Sequence, residues 1–209
     1  MQAGTEKRGL LFVIAAPSGA GKTSLVRALM EREPSLGFSV SFTTRPKRAG
    51  EVDGRDYHFI DEQRFSQMVR DDAFVEHARV FGHCYGTGRQ QVEQALAAGK
   101  HLILEIDWQG ARQVRERVPE AVDVFILPPS REVLEQRLRG RRTDSPEVIE
   151  RRLRESVEEM SHWAEFRYVV VNDDFAQALG EMTAIVHGQG EALRSSRPGL
   201  EAFAAGLLG

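Results

Sequence analysis

Cysteine is almost missing from this chain: Cys84 is the only one in 209 residues. No disulfide framework and no cysteine-based metal cluster can therefore form within it, and that usage fits a reducing, cytoplasmic compartment. The six histidines are scattered and show no metal-ligand spacing. A basic excess is also lacking. Lys and Arg number 28 against 31 Asp and Glu, a net charge of −3, which argues against a general nucleic-acid binder with its positive footprint. No stretch approaches the roughly 20 apolar residues of a membrane span. Lys7-Arg8 and the apolar run after them have the outline of a signal peptide, but that run is only about seven residues long. It also flows straight into a glycine-rich loop that cleavage would destroy, so no signal peptide is expected. There is no internal repeat. What is present is globular: 41% apolar and 28% charged residues, in a chain long enough for one core with insertions.

The chain is organised around Leu10 to Met30, which reads LLFVIAA, PSGAGKT, SLVRALM. The first run predicts a buried strand and the last repeats its apolar positions at helical spacing. A glycine-punctuated turn between strand and helix directs successive backbone N–H groups and the positive end of the helix dipole at one spot, which makes a phosphate cradle. Lys22 can reach β- and γ-phosphates, and the Thr23 hydroxyl can ligate Mg²⁺. Ala16 stands where this motif has its first glycine; Gly19 and Gly21 keep the turn permissive.

The rest of the pattern alternates strands and helices. The first helix is expected to end at Glu33-Pro34. Strict alternation over Phe38 to Arg45 predicts one half-buried strand, followed by a polar turn region to Gly54. Tyr57 to Ile60 reads as a short strand, Asp61 as the cap of a helix to about Arg70, and Phe74 to Val80 as a further strand. Phe81 to Thr87 reads as a turn before a helix from Arg89 to Ala98. His101 to Asp107 is a strongly apolar strand ending in carboxylates, and the carboxyl ends of parallel strands line ligand crevices. Helix is expected over Gln109–Val118, strand over Ala121–Leu127 and helix to about Arg139. Ser145 and Pro146 then open a helix to about Glu165. Tyr168 to Val171 is a core strand and Asp173-Asp174 open a helix to His187. Gly188 to Gly199 reads as a flexible linker, and the tail beyond it, despite helical spacing of its apolar residues, as a frayed end. This order predicts an α/β fold with a parallel sheet.

Several separate motifs, APSGAGKT, SVSFTTRPKRAGEVDGRDY, FVEHARVFGHCYGT, LEIDWQG, RLRGR and VNDD, together resemble guanylate kinase over about Leu10 to His187. The resemblance implies a P-loop NTPase three-layer core (9–37, 99–129 and 160–187), an inserted GMP-binding lobe (38–98), a helical lid (130–159) and a tail (188–209). It implies reversible phosphoryl transfer from ATP to GMP or dGMP, with Mg²⁺ accompanying ATP and no nucleic-acid or membrane partner; homo-oligomerisation is not readable. ATP-binding positions carry over to Ala16, Pro17, Ser18, Gly19, Ala20, Gly21, Lys22, Thr23, Ser24 and Asn172. GMP-binding positions carry over to Ser41, Arg45, Arg48, Tyr57, Glu76, Tyr85, Gly86, Thr87 and Asp107. The lid arginines fall on Arg137, Arg141 and Arg152, which join Lys22 and Arg45 as the implied catalytic set. Arg142 stands where the family usually has glycine, Cys84 where it commonly has tyrosine, and Glu105 where many members carry Asp; the resemblance implies Thr23 as the Mg²⁺ ligand, and a role for Glu105 near the metal is implied less firmly than one for Asp107.

The residue types suit that chemistry. Guanine presents N1–H and N2–H₂ donors beside its O6 acceptor, so a carboxylate such as Glu76 with hydroxyls such as Ser41 and Thr87 selects it, while adenine would leave the carboxylate unpaired. Guanidinium forks at Arg45 and Arg48 match phosphate oxygens bidentately. No catalytic base is evident, and a phosphate monoester with a second pKa near about 6 needs none. Arg137 lies four residues after Val133 and so continues an inward-facing stripe. Two rival readings are a peptide-binding module of guanylate-kinase shape, which would have lost the phosphate loop, and a P-loop kinase of phosphorylated sugars, which would not need Glu76, Ser41 and Thr87 together.

Overall fold

The computed structural model describes residues 8–80, 82–140 and 146–209. The strands are β1 (Leu11–Ala15), β2 (Leu36–Phe38), β3 (Phe42–Thr43), β4 (His58–Phe59), β5 (Phe74–Val80), β6 (His83–Gly88), β7 (His101–Glu105), β8 (Val122–Leu127) and β9 (Tyr168–Val171). The helices are α1 (Lys22–Arg32), α2 (Glu62–Arg70), α3 (Arg89–Ala97), α4 (Trp108–Arg117), α5 (Arg131–Arg139), α6 (Pro146–Met160), α7 (Phe175–Val186) and α8 (Leu200–Leu208). One sheet runs β2-β7-β1-β8-β9, with β2 parallel to β7 and β8 parallel to β9. Every residue of β1 is buried, as expected of a strand covered on both faces. The other sheet runs β4-β3-β6-β5, and its pairs β3–β6 and β5–β6 are antiparallel.

The described residues form two compact units. The first gathers those of Met1–Phe12, Ser35–Leu104 and Gln109–Ala121; the second gathers Val13–Pro34, Glu105–Trp108 and Val122–Gly209. In the first, Phe65 and Met68 of α2 pack with Phe74 into a core joined by Phe42, Ile60, Ala73 and Cys84. In the second, α1 packs on α7 and α5 on α6.

Helix ends follow their capping residues. Asp61, Ser130 and Asp174 each accept a hydrogen bond from the backbone N–H three residues on, at the starts of α2, α5 and α7. Elsewhere the structure corrects the sequence reading. The strand expected over Phe38 to Arg45 is divided: Ser39 N–H donates to Ile103 O beside β7, and from Phe42 the chain enters the other sheet, so the alternation serves two ladders. The expected turn over Phe81 to Thr87 contains β6, a central strand paired on both sides. Helix α6 ends at Met160, and a 3₁₀ turn at Trp163–Glu165 follows. The linker is anchored, because Arg197 Nη1 donates to Val169 O at 2.8 Å and to Leu193 O at 3.0 Å. The tail is a docked helix: Leu200, Ala204 and Leu207 are buried and α8 packs against α6, burial that offsets the fraying expected of a short terminal helix. Ser145 lies outside the described residues.

Candidate active site

The phosphate loop follows β1 directly. Gly19 and Gly21 have φ of +92° and +93°, a left-handed conformation costly for any residue with a Cβ. Space adds a second constraint, since a Cβ on Gly21 would stand 2.4 Å from Asn172 Nδ2. Ala16 is outside the left-handed region, so alanine in place of the motif's first glycine carries no backbone strain. Gly21 is the N-cap of α1 and supplies no side-chain bond to the helix, which leaves the first-turn N–H groups for an anion. Lys22 Nζ donates to Ile106 O at 3.2 Å, and Thr23 Oγ1 donates to Glu105 Oε1 at 2.6 Å. Pro17 and Ala20 are buried, and Ser24 is exposed on the first turn of α1.

Asn172 is buried and acts as a brace. Its Nδ2 donates to Ala20 O at 2.7 Å, and its own carbonyl accepts from Arg137 Nη2 at 3.0 Å. The other terminal nitrogen of that guanidinium, Arg137 Nη1, is buried with no hydrogen-bond partner among the described residues. A buried, unsatisfied charged donor is costly, and an anionic oxygen would satisfy it. Arg152 is half-buried on α6, and Arg141 lies outside the described residues.

Two contacts on the loop have no signal in the sequence. From α6, Ser156 Oγ donates to Ser18 O at 3.3 Å, and Glu159 Oε2 accepts from Ser18 N–H at 3.1 Å. Burial pushes the Glu159 carboxyl above its ordinary value, with the like charges of Asp107 and Glu155 adding to the rise and Ser18 N–H and Lys22 opposing it. The folded chain thus holds this proton to higher pH than the unfolded chain. Its stabilising contribution is full below the ordinary value of 4.5 and is lost as pH rises through the folded value. Glu159→Gln is expected to gain stability relative to the parent as pH is raised from about 4 to about 8; melting temperatures at both ends check this, and an unchanged difference contradicts it.

The remaining predicted residues, Asp107 apart, lie in the first unit, most of them in two clusters. Arg45, only 8% exposed, donates through Nη2 to Glu51 Oε1 at 2.6 Å and through Nη1 to Pro46 O at 2.8 Å. Its guanidinium lies 5.4 Å from the Tyr57 ring centre, and the Tyr57 and Tyr85 rings are 6.0 Å apart. Arg48 joins through its backbone, whose N–H donates to Glu51 Oε2 at 2.8 Å. Hydrogen bonding to Arg45 holds the Glu51 carboxyl below its ordinary value, and Glu51 raises Arg45 in turn. Glu51 is a residue the sequence reading missed, although its place three residues after Arg48 in a polar turn was a usable signal. In the second cluster Thr87 Oγ1 donates to Glu76 Oε1 at 2.6 Å, with Glu76 3% and Thr87 0% exposed. Between Tyr85 and Thr87, Gly86 lies against the Phe74 ring, where a Cβ would approach to 2.9 Å. Ser41 is half-buried just before β3, and its carbonyl accepts from His58 N–H at 2.9 Å. Asp107 belongs to the second unit, with the phosphate loop.

The guanylate kinase family profile matches residues 8–189. A guanylate kinase of Methylococcus capsulatus is 55% identical over 97% of this chain and 99% of its own length. The chain belongs to the guanylate kinase family. A guanylate kinase of Escherichia coli is 50% identical over 91% of this chain and 92% of its own. The crystal structure of guanylate kinase from Anaplasma phagocytophilum superposes with a TM-score of 0.71 at 33% identity, covering 89% of this chain and 88% of that one. Membership agrees with the parallel α/β sheet and the loop–helix junction found here. Among the described residues no helix is long and apolar enough to cross a membrane.

Proposed function

We propose that the chain catalyses reversible transfer of the γ-phosphoryl group of ATP to GMP or dGMP, giving ADP and GDP, in cytoplasmic purine nucleotide recycling. The observation that carries the base assignment is the buried Glu76 carboxylate held at 2.6 Å by Thr87. A desolvated carboxylate favours a base with adjacent N–H donors over one that turns acceptors towards it. Arg45, Arg48, Tyr57 and Tyr85 bind the acceptor's phosphate, with Glu51 orienting Arg45 before substrate arrives. Ser41 and Gly86 complete the pocket within a GMP-binding lobe of residues 38–98, and Asp107 is a further GMP position by its match to the family motif LEIDWQG. Residues 16–24 wrap the ATP phosphates, with Asn172 bracing the loop from beneath.

An oxygen of the acceptor phosphate bonds to the γ-phosphorus as the bond to the bridging oxygen breaks, and ADP leaves with that electron pair. The acceptor is already largely ionised near neutral pH, its second pKa being about 6, so no protein base takes a proton. Lys22 and the lid arginines Arg137, Arg141 and Arg152, in a lid of residues 130–159, offset charge on the transferring group. The adjacent oxygens of Thr23 and Glu105, 2.6 Å apart at the first turn of α1, fit Mg²⁺, which takes oxygen ligands, keeps several waters and relies on substrate phosphates for the rest. Thr23, with Glu105 beside it, would hold the ion there, and Mg²⁺ would supply positive charge that offsets the charge developing on the transferring group.

Glu76→Gln tests the base assignment. It keeps the shape and replaces one acceptor oxygen by a donor facing guanine's donors, so KM for GMP is expected to rise by about 10- to 100-fold. ATP affinity, measured by titration calorimetry, should stay near the parent value; an equal loss for both nucleotides contradicts the assignment.

A further inference from the structure

The four-stranded sheet ends on β5, and Glu76 sits on that edge strand. An edge strand presents N–H and C=O groups with no ladder partner on one side. Here they are met by helix α4. The Gln113 side chain imitates a neighbouring strand: its Oε1 accepts from His77 N–H at 3.1 Å and its Nε2 donates to His77 O at 2.8 Å. One helical turn further, Arg117 Nη1 donates to the carbonyls of Phe74 and Val75, and Nη2 pairs with Asp72 at 3.3 Å. Spaced i, i+4 on one face of α4, the two side chains hold the backbone on both sides of Glu76.

That grip coincides with an irregularity in the ladder. Pairing of β5 with β6 shifts register between Phe74 and Glu76. At such a bulge a residue stands outside the ladder, and slippage by one residue turns a side chain to the opposite face. For Glu76 that slip would break the 2.6 Å bond from Thr87 and withdraw the carboxylate from the pocket. We propose that Gln113 and Arg117 are positioning residues for base selection: by fixing the register of β5 from α4 they set where the Glu76 carboxylate stands. The inference rests on the reading of Glu76 as the guanine-contacting group.

The test uses the full chain with ATP and Mg²⁺ and compares GMP with inosine monophosphate, which lacks the 2-amino group. Gln113→Met keeps the side chain's length and removes both hydrogen bonds. It is expected to raise KM for GMP about tenfold and to lower the GMP-to-IMP ratio of kcat/KM by a similar factor, while kcat and KM for ATP stay within about twofold. A merely structural role would lower the folded fraction, and hence kcat, and would leave KM and the ratio where they were. Arg117→Lys keeps a cation beside Asp72 but cannot serve two carbonyls as a fork does. It should shift the same ratio in the same direction by less, and it carries the test if Gln113→Met does not fold. Glu76→Gln is assayed in parallel. An unchanged ratio in the α4 variants with a lowered ratio in Glu76→Gln overturns the positioning role alone. An unchanged ratio in Glu76→Gln overturns the base assignment and the inference with it.

Discussion

Arg137→Ala is expected to lower kcat by about 10³- to 10⁵-fold, the range for an arginine that stabilises a transferring phosphoryl group, with ATP and GMP dissociation constants within a few-fold of the parent. The expectation comes from the two ends of one guanidinium. Nη2 is fixed on Asn172 O at 3.0 Å, and Nη1 is buried without a partner among the described residues. A cation so held forfeits a hydrogen bond in the resting protein and recovers it when an anionic oxygen arrives, which favours a charged transition state over the free enzyme. Arg137→Lys should recover little, because a single ammonium cannot reach both the carbonyl and the anion. Single-turnover rates with saturating nucleotides measure the effect, and a melting temperature shows that the brace on Asn172 has not collapsed. A kcat within tenfold of the parent would remove Arg137 from the catalytic set.

Gly21→Ala carries the second large effect, on ATP binding and stability together. Alanine at φ +93° costs about 1–2 kcal/mol. Its Cβ, 2.4 Å from Asn172 Nδ2, would also displace the amide that donates to Ala20 O at 2.7 Å, and an unsatisfied buried carbonyl costs about 1–3 kcal/mol more. Urea unfolding is expected to show a loss of roughly 2–5 kcal/mol, and the melting-temperature rise on adding ATP should vanish because the cradle no longer has its geometry. Gly188→Ala is the control: φ is +73° with nothing within 4 Å of the added Cβ, so it should show backbone strain alone and keep the full response to ATP. A normal ATP response in Gly21→Ala would contradict the packing of Asn172 against the loop as a requirement for binding.

The strand–loop–helix at Leu10 to Met30 was readable because each part has a local cause: an apolar run, glycines at positive φ, and helical spacing. β6 was not. HCYGTG has no apolar alternation, and the segment is held by ladders on both sides and by glycines packed against the rings of Phe74 and Phe42, which are partners distant in sequence. The tail illustrates the same limit from the other side. Leu200, Ala204 and Leu207 show their spacing in the sequence, but whether a face exists to receive them depends on α6. The proposed site residues follow this division. Glu76, Arg45 and Thr87 sit in recognisable motifs, whereas Glu159 and Gln113 act on backbone atoms 141 and 36 residues away, and their own neighbourhoods in the sequence read as ordinary helix.

The most direct test supplies the purified chain with ATP and Mg²⁺ and follows ADP formation with GMP, dGMP, AMP and ribose 5-phosphate offered one at a time. The account predicts rapid turnover with GMP and dGMP, GDP or dGDP as the product, and negligible turnover with the other two. Comparable turnover with AMP, or none with GMP, would contradict it.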